Sequence, residues 1–509
     1  MIRIIDCGSQ LTQNIARRIR ENSVYAEILP FHTPLEQIRC PDLEGIVISG
    51  GQWSVYDSKA PHCTPEIYSL GVPVLGICYG QQLMAYQHDG RVVPSEKREY
   101  GKTLVRLLDS ESPLFRDIPQ QEISTWMSHG DVVKRLPQGF RVTARSESSH
   151  IAAIENREHA LYAVQFHPEV DHTPYGRMIL RNFLHICNAK ESWDPEKRYD
   201  SIVAETEEKI RGKKGIGGIS GGVDSTSASV LVKKLAGAHY TPLFVDNGLL
   251  RLNEAQQVNS LLAPFNLGTH FVDASQRFLA LLQGIDDPDK KRKIIGNEFI
   301  RVFEATLAQH VPDASYLVQG TLYPDVIESV PLYGASSKIK RHHNVGGLPE
   351  RMKLTLVEPW RELFKDEVRA IAERKLGLPR EIVWRQPFPG PGLAIRIVGM
   401  DVMPERLAIV RKADHIFLEE LTRDNIPYSQ AFAGIFSTRS RGVMGDAGTY
   451  EYICGLRIIN SDDYMTADVV DIPHETEMRI SCRIVNEVKG VNRVFFDKTQ
   501  KPPATIEWE

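Results

Sequence analysis

From its first residues the chain alternates short apolar runs with longer stretches in which apolar positions recur every three or four residues. Ile2–Ile5, Tyr25–Leu29, Gly45–Ile48 and Val72–Gly76 read as strands, and Gln10–Arg20 and Gln81–His88 as amphipathic helices. The strand runs show little polar alternation, as expected for a mostly central sheet buried on both faces. Ala189–Arg198 is polar, contains proline and reads as a linker. A second α/β series follows, with strands at the start of a glycine-rich stretch, at Thr241–Val245, at Thr269–Val272 and at Tyr316–Val318. Beyond Pro387-Phe-Pro-Gly-Pro-Gly392 the pattern changes again. Glu405–Leu421 is helical, and later segments, among them Val491–Phe496 and Ala504–Trp508, alternate as in a small antiparallel sheet. The expectation is two doubly wound parallel-sheet α/β domains, residues 1–190 and 191–385, followed by a small α+β domain, residues 386–509.

Length agrees, since 509 residues exceed what one core accommodates. Charge excludes some partners. The net charge of −4 comes from 61 basic and 65 acidic residues spread without blocks, with neither a nucleic-acid tail nor a membrane-binding stripe. The seven cysteines (7, 40, 63, 78, 187, 454 and 482) are scattered and lack C-x-x-C pairs. That argues against a disulfide framework and a zinc site, and for a reducing compartment. MIRIIDCGSQ has no basic-then-apolar leader and no apolar run reaches the length of a membrane span, so a cytoplasmic protein is expected.

Candidate chemistry appears first at Val74-Leu-Gly-Ile-Cys-Tyr-Gly-Gln-Gln-Leu83. Cys78 falls at a strand-to-helix turn flanked by Gly76 and Gly80, the spacing of a nucleophile elbow, where a helix N-terminus favours the thiolate. Tyr162-Ala-Val-Gln-Phe-His-Pro-Glu169 supplies a base, His167, with an orienting carboxylate, Glu169, two residues on. Together these motifs resemble class I glutamine amidotransferases, in which a Cys–His–Glu triad hydrolyses glutamine to glutamate and ammonia. The resemblance extends to Ser49-Gly-Gly51 and implies an oxyanion hole of the Gly51 and Tyr79 N–H groups. Gln52 departs from the proline usual at that point in the family. The resemblance also marks Gln82 and the His129 of Ser128-His-Gly-Asp131 as glutamine contacts. A helix-surface glutamine and a structural turn histidine are the other readings of those two residues.

A second chemistry lies in Lys214-Gly-Ile-Gly-Gly-Ile-Ser-Gly-Gly-Val-Asp-Ser-Thr226. Consecutive glycines let backbone approach a pyrophosphate, the following helix offers its N–H groups, and no lysine follows as in γ-phosphate hydrolases. The stretch resembles the PP-loop of ATP pyrophosphatases. That resemblance implies ATP binding by Ser220, Gly221, Gly222, Val223, Asp224, Ser225 and Thr226, with Asp224 helping to organise Mg²⁺ and Val245 lining the adenine pocket. No dedicated metal site is visible in the sequence.

The last third narrows the acceptor. Gln319-Gly-Thr-Leu-Tyr-Pro-Asp-Val-Ile-Glu-Ser329, Lys340-Arg-His-His-Asn-Val-Gly-Gly-Leu-Pro349, Glu358-Pro-Trp-Arg-Glu-Leu-Phe-Lys-Asp-Glu-Val368, Gln386-Pro-Phe-Pro-Gly-Pro-Gly392 and Lys501-Pro-Pro-Ala-Thr-Ile-Glu-Trp-Glu509 resemble the glutamine-hydrolysing GMP synthase family, across essentially the whole chain. The resemblance implies amination of xanthosine monophosphate with ATP and glutamine as co-substrates. It further implies xanthylate binding by Pro391, Gly392, Lys501 and Glu507, a lid carrying Lys340 over the nucleotide, and a homodimer formed through residues 386–509. Arg341 replaces the family's usual serine. A rigid turn or dimer packing is the other reading of the xanthylate residues, and a solvated basic loop that of the lid. A different carbonyl acceptor, or a binding scaffold without activity, are the rival functions. The C-terminal motifs speak against the first and the intact triad and PP-loop against the second.

Overall fold

The computed structural model describes the chain except for residues 110, 149, 330–353, 462–463 and 502. It divides into two compact units, one of them Met1–Asp194 and the other beginning at Pro195. In the first, a nine-stranded sheet runs through β1 (Ile2–Asp6), β2 (Ala26–Pro30), β3 (Gly45–Ile48), β4 (Val74–Ile77), β5 (Arg91–Leu107), β6 (Glu122–Arg135), β7 (Arg141–Ser146), β8 (Ile151–Asn156) and β9 (Leu161–Val164). Its spatial order is β2-β1-β3-β4-β9-β8-β7-β5-β6. The strands from β2 to β9 are parallel and those from β8 to β6 antiparallel. Every residue of β3, β4 and β9 is buried, which is why these runs carry no polar alternation. The long β5–β6 hairpin is different. Only one face is covered, and Tyr100 and Leu104 lie exposed. Its charged, weakly apolar sequence explains why the hydrophobic pattern did not announce it.

The expected linker is strapped down rather than loose. Ser192 and Trp193 donate their N–H groups to the Ser23 carbonyl, and the Trp193 ring lies 5.2 Å from Tyr25 with the Arg20 guanidinium 4.3 Å above it. A helix then opens the second unit at Pro195, with proline in its first turn where no N–H is needed.

The second unit holds two sheets. β10 (Gly215–Gly218), β11 (Tyr240–Asp246), β12 (His270–Asp273), β13 (Tyr316–Val318) and β14 (Thr355–Val357) form a parallel sheet in the order β12-β11-β10-β13-β14. The order reverses between β10 and β13, so the glycine-rich loop after β10 opens into the crevice where such sheets bind ligands. The other sheet comprises β15 (Ile397–Val398), the antiparallel hairpin β16 (Gln430–Met444) and β17 (Ala447–Asn460), β18 (Asp468–Val469) and β19 (Val491–Asp497). One hydrophobic cluster joins the two, bringing Leu243, Phe278 and Val302 together with Leu393, Leu407 and Ile435.

Two expectations about this region change. Val491–Phe496 is a strand, but it pairs parallel to β17, because the helix His474–Glu487 returns the chain over the sheet before β19 enters. Ala504–Trp508 forms no strand. Its alternation instead serves buried cations: Arg457 donates to the Thr505 carbonyl at 3.0 Å, Arg396 pairs with Glu507 at 3.0 Å and Lys291 with Glu509 at 2.8 Å. The Trp508 ring lies 4.9 Å from the Phe432 ring and 5.2 Å from Phe436, and its Nε1 donates to Asp497 Oδ2 at 3.0 Å. Trp508→Ala is expected to cost about 3 kcal/mol, read as a lower melting temperature of the second unit with the first unchanged.

Candidate active site

The elbow is set by backbone contact. A β-carbon at Gly80 would lie 2.3 Å from the Ile48 carbonyl oxygen, and one at Gly76 would lie 2.5 Å from that of Gly80. Only glycine allows the helix Tyr79–Gln87 to come so near the sheet, and the chain reaches it by forcing Cys78 to φ +55° and ψ −108°. The Cys78 N–H is held by the Val164 carbonyl at 2.8 Å, which joins the elbow to β9. The triad's other members follow β9 within five residues.

His167 Nδ1 lies 2.7 Å from Glu169 Oε1, and both side chains are buried. That contact assigns the Nδ1 proton to the carboxylate and leaves Nε2 for the sulfur, to which the imidazole also hydrogen-bonds. Burial alone would push the imidazole down, but the charges of Glu169 and Cys78 and their hydrogen bonds outweigh it and hold His167 well above its ordinary value. The histidine is placed from both sides: its N–H donates to the Trp126 carbonyl, and its own carbonyl accepts from Thr173 Oγ1 at 2.7 Å. Four other thiols, Cys7, Cys63, Cys187 and Cys454, are buried. Burial pushes Cys63 and Cys454 up to about 12, and Cys7 and Cys187 also upward.

Gly51 packs against Cys7 and the Tyr79 ring, and Tyr79 opens the helix, where the first N–H groups have no intrahelical partner. Gln82 and His129 are buried and bonded within the protein. Gln82 Nε2 donates to the Asp131 carbonyl at 3.0 Å and to Gln165 Oε1 at 3.1 Å, while His129 faces Glu99 and the Asp131 carbonyl. Three residues without an assigned role belong here. Gln165 points its Nε2 at the Cys78 sulfur at 3.6 Å. A β-carbon at Gly50 would lie 3.2 Å from His167 Cε1 and 3.6 Å from Cys78 Cβ, so that position fronts the dyad. Arg18, buried on the first helix, donates to the Glu169 carbonyl at 3.2 Å and pairs with Asp171 at 2.7 Å. Gln165 and Gly50 lie inside the quoted motifs; nothing local in the sequence marks Arg18.

In the second unit, Ser220 and Ser225 lock the glycine-rich loop: the Ser220 N–H donates to Ser225 Oγ at 3.1 Å, and the two hydroxyls lie 3.0 Å apart. Gly221 takes φ +78° and the helix starts at Val223 with Gly222 as its cap. A β-carbon at Gly320, just after β13, would lie 2.5 Å from the Asp224 backbone, so the crevice closes on the loop. Lys365 Nζ reaches Asp224 Oδ2 at 3.2 Å and returns the positive charge that the loop lacks. Arg385 donates to the Gly221 carbonyl at 3.1 Å and pairs with Glu254; burial, then the charge of Arg251, lowers it to about 10, still a cation at neutral pH. Asp224 Oδ1 and Thr226 Oγ1 are buried and make no hydrogen bond among the described residues. Val245, at the end of β11, packs into the hydrophobic cluster. Gly392 takes φ +60° against the Leu249 carbonyl in the loop after β11, which ties the Pro391–Gly392 turn to that strand end. Lys501 is bonded to Tyr464 and Ala467, and Glu507 to Arg396 and Gln430. Lys340 lies outside the described residues.

Residues 3–187 match the family model for class I glutamine amidotransferase, and 419–508 that for the GMP synthase C terminal domain. Over its whole length the chain is 54% identical to a glutamine-hydrolysing GMP synthase of Carboxydothermus hydrogenoformans, with 99% of each chain covered. The chain belongs to the glutamine-hydrolysing GMP synthase family. Other members give the same picture: the enzyme so named from Chlorobaculum tepidum is 52% identical, with 99% of this chain and 98% of that one covered. One from Clostridium botulinum is 50% identical, with 100% and 99% covered.

Glu169→Gln is expected to lower glutamine hydrolysis roughly 10²- to 10⁴-fold by releasing the imidazole orientation. It also tests the His167 shift. An imidazole raised in the folded state adds stability that is fully present below about 6.5, its unfolded value, and is lost as pH rises through the folded value. The melting-temperature advantage of the wild type over Glu169→Gln should therefore shrink steadily when pH is raised from the acid side of neutrality.

Proposed function

We infer that this chain makes GMP from xanthosine monophosphate, ATP and glutamine, releasing AMP, pyrophosphate and glutamate. The observation that carries the reading is that one chain holds both an oriented thiol–imidazole–carboxylate triad and a pyrophosphate-type loop at a sheet switch point. In the glutaminase half, the Cys78 thiolate, whose proton rests on His167 Nε2, attacks the carboxamide carbon. The oxyanion faces the Gly51 and Tyr79 N–H groups. Collapse breaks the C–N bond, His167 returns the proton to the leaving nitrogen, and ammonia departs. Water, deprotonated by the same imidazole, then releases glutamate from the thioester. Glu169 keeps the ring in one tautomer throughout. Gln82 and His129 serve glutamine by holding Gln165 and the Ser128–Asp131 strand around the sulfur.

In the synthetase half, the xanthine carbonyl oxygen attacks the α-phosphorus of ATP and pyrophosphate leaves. Ammonia then displaces AMP from the adenylated base. Residues 220–226 cradle the departing phosphates with backbone N–H and hydroxyl groups, Lys365 and Lys340 balance their charge, and Val245 lines the adenine side. The unsatisfied Asp224 Oδ1 fits a hard divalent cation. Mg²⁺ held there would neutralise phosphate charge as the bond to pyrophosphate breaks. Pro391, Gly392, Lys501 and Glu507 shape the xanthylate site, Glu507 through the Arg396 guanidinium that it fixes.

No helix among the described residues is long and apolar enough to cross a membrane. The unpaired cysteines favour a cytoplasmic enzyme. A homodimer would cover the exposed Val443 and Tyr450, which share one face of the β16–β17 hairpin.

The deciding assay supplies wild type and Cys78→Ala with xanthosine monophosphate, MgATP and either glutamine or ammonium. Cys78→Ala should lose the glutamine-driven reaction by at least about 10³-fold and keep the ammonium-driven one. Failure of wild type to form GMP from either nitrogen source would reject the acceptor. Lys365→Ala should depress both reactions together, by roughly 10²-fold, since it acts in the adenylation step that both nitrogen sources share.

A further inference from the structure

Away from the triad, three metal-ligating side chains converge in the antiparallel part of the first sheet. Glu99 on β5 and His129 on β6 sit directly opposite each other across the ladder, and His150 enters from the turn between β7 and β8. Glu99 Oε2 lies 2.9 Å from His129 Nε2 and 3.4 Å from His150 Nδ1, and the ligating atoms all fall within 4.8 Å of one another. Glu99 and His129 are buried and His150 is partly so.

The hydrogen bonds around the cluster settle the tautomers. His129 Nδ1 lies 3.0 Å from the Asp131 carbonyl, which only accepts, so the ring proton is at Nδ1. Ser95 Oγ already donates to the Lys97 carbonyl, so its 3.3 Å contact with His150 Nε2 places that ring's proton at Nε2. In its neutral form each imidazole then aims its remaining lone pair at one carboxylate oxygen. The other oxygen of Glu99 accepts from Ser146 Oγ at 2.7 Å. Three acceptors facing one point in a buried site repel one another. A proton on His129 relieves one of these contacts, whereas His150 Nδ1 remains buried with no hydrogen-bond partner among the described residues. A divalent cation relieves them all. The outer contacts to Asp131 and Ser95 are of the kind that orient ligating histidines.

We propose that Glu99 Oε2, His129 Nε2 and His150 Nδ1 bind one zinc ion, with a fourth position left to water. Two imidazoles and one carboxylate suit zinc rather than magnesium or calcium, which take oxygen ligands. The ion would crosslink β5, β6 and the β7–β8 turn beside the triad, since the Ser128 carbonyl, next along β6 from His129, lies 3.6 Å from the Cys78 sulfur. Its role is to stiffen the wall of the thiol pocket.

The test strips the full-length enzyme with chelator and titrates Zn²⁺ and Co²⁺ against wild type, Cys78→Ala, Glu99→Gln and His150→Ala. Wild type and Cys78→Ala should each retain one zinc per chain through gel filtration. They should also show Co²⁺ visible bands without thiolate charge transfer, and a melting temperature that rises with added Zn²⁺. In Glu99→Gln and His150→Ala the Kd should rise at least about 10-fold, and the zinc-dependent melting shift should vanish. Circular dichroism confirms that each variant is folded, and His150, being partly exposed, is the variant least disturbing to the core. Absence of stoichiometric zinc in wild type, wild-type affinity in both ligand variants, or loss of the metal in Cys78→Ala would each overturn the assignment.

Discussion

Both reaction centres depend on backbone approaching backbone closer than any side chain permits. At the elbow, Gly80 meets the Ile48 carbonyl and Gly76 meets Gly80, so the sulfur is thrust out from a strained Cys78 beside the first N–H groups of a helix. At the glycine-rich loop, Gly320 meets the Asp224 backbone where β10 and β13 diverge. In each case the contact lies at the carboxyl end of a parallel sheet, where strand ends diverge and leave room for a ligand. The N–H groups there are fixed by packing, so any charge placed against them would be met without reorganisation.

Charge is then added from a distance in sequence. His167 and Glu169 reach the elbow through the β4–β9 pairing, and Arg18 steadies Glu169 from the opposite end of the unit's sequence. Lys365 plays the corresponding part at Asp224, across 141 residues, and Arg385 anchors the loop's Gly221. Burial makes these pairings costly to break, since removing one partner strands a charge in a poorly solvated place. The same holds for the terminal segment, where Lys291, Arg396 and Arg457, each fully buried at the side chain, find partners in the last residues or in Asp497.

The chemistry was legible wherever residues that act together lie within one motif. Cys78 between its glycines, His167 two residues before Glu169, and the serines and glycines of 220–226 are local patterns whose spacing follows from a strand, a turn and a helix. Parallel strands such as β3, β4 and β13 were legible too, because burial on both faces leaves unbroken apolar runs, whereas β14 was not read. The β5–β6 hairpin was not, since strands with one wet face and many charges resemble loops. Ala504–Trp508 misled for the opposite reason, its alternation arising from contacts with buried cations and with an aromatic pocket.

By itself, then, the sequence determined the α/β class and marked the cysteine elbow and the glycine-rich loop, because short-range spacing and strand burial are written into consecutive residues. Tertiary structure alone decided which distant groups meet: Gln165 beside the sulfur, Lys365 at the loop, and the convergence of Glu99, His129 and His150. It also decided that β19 runs parallel and that residues after 503 pair with guanidinium and ammonium groups rather than with a strand. The physical reason is common to all of these. Contacts between residues far apart in the chain depend on register and packing, and neither composition nor periodicity encodes which pair will meet.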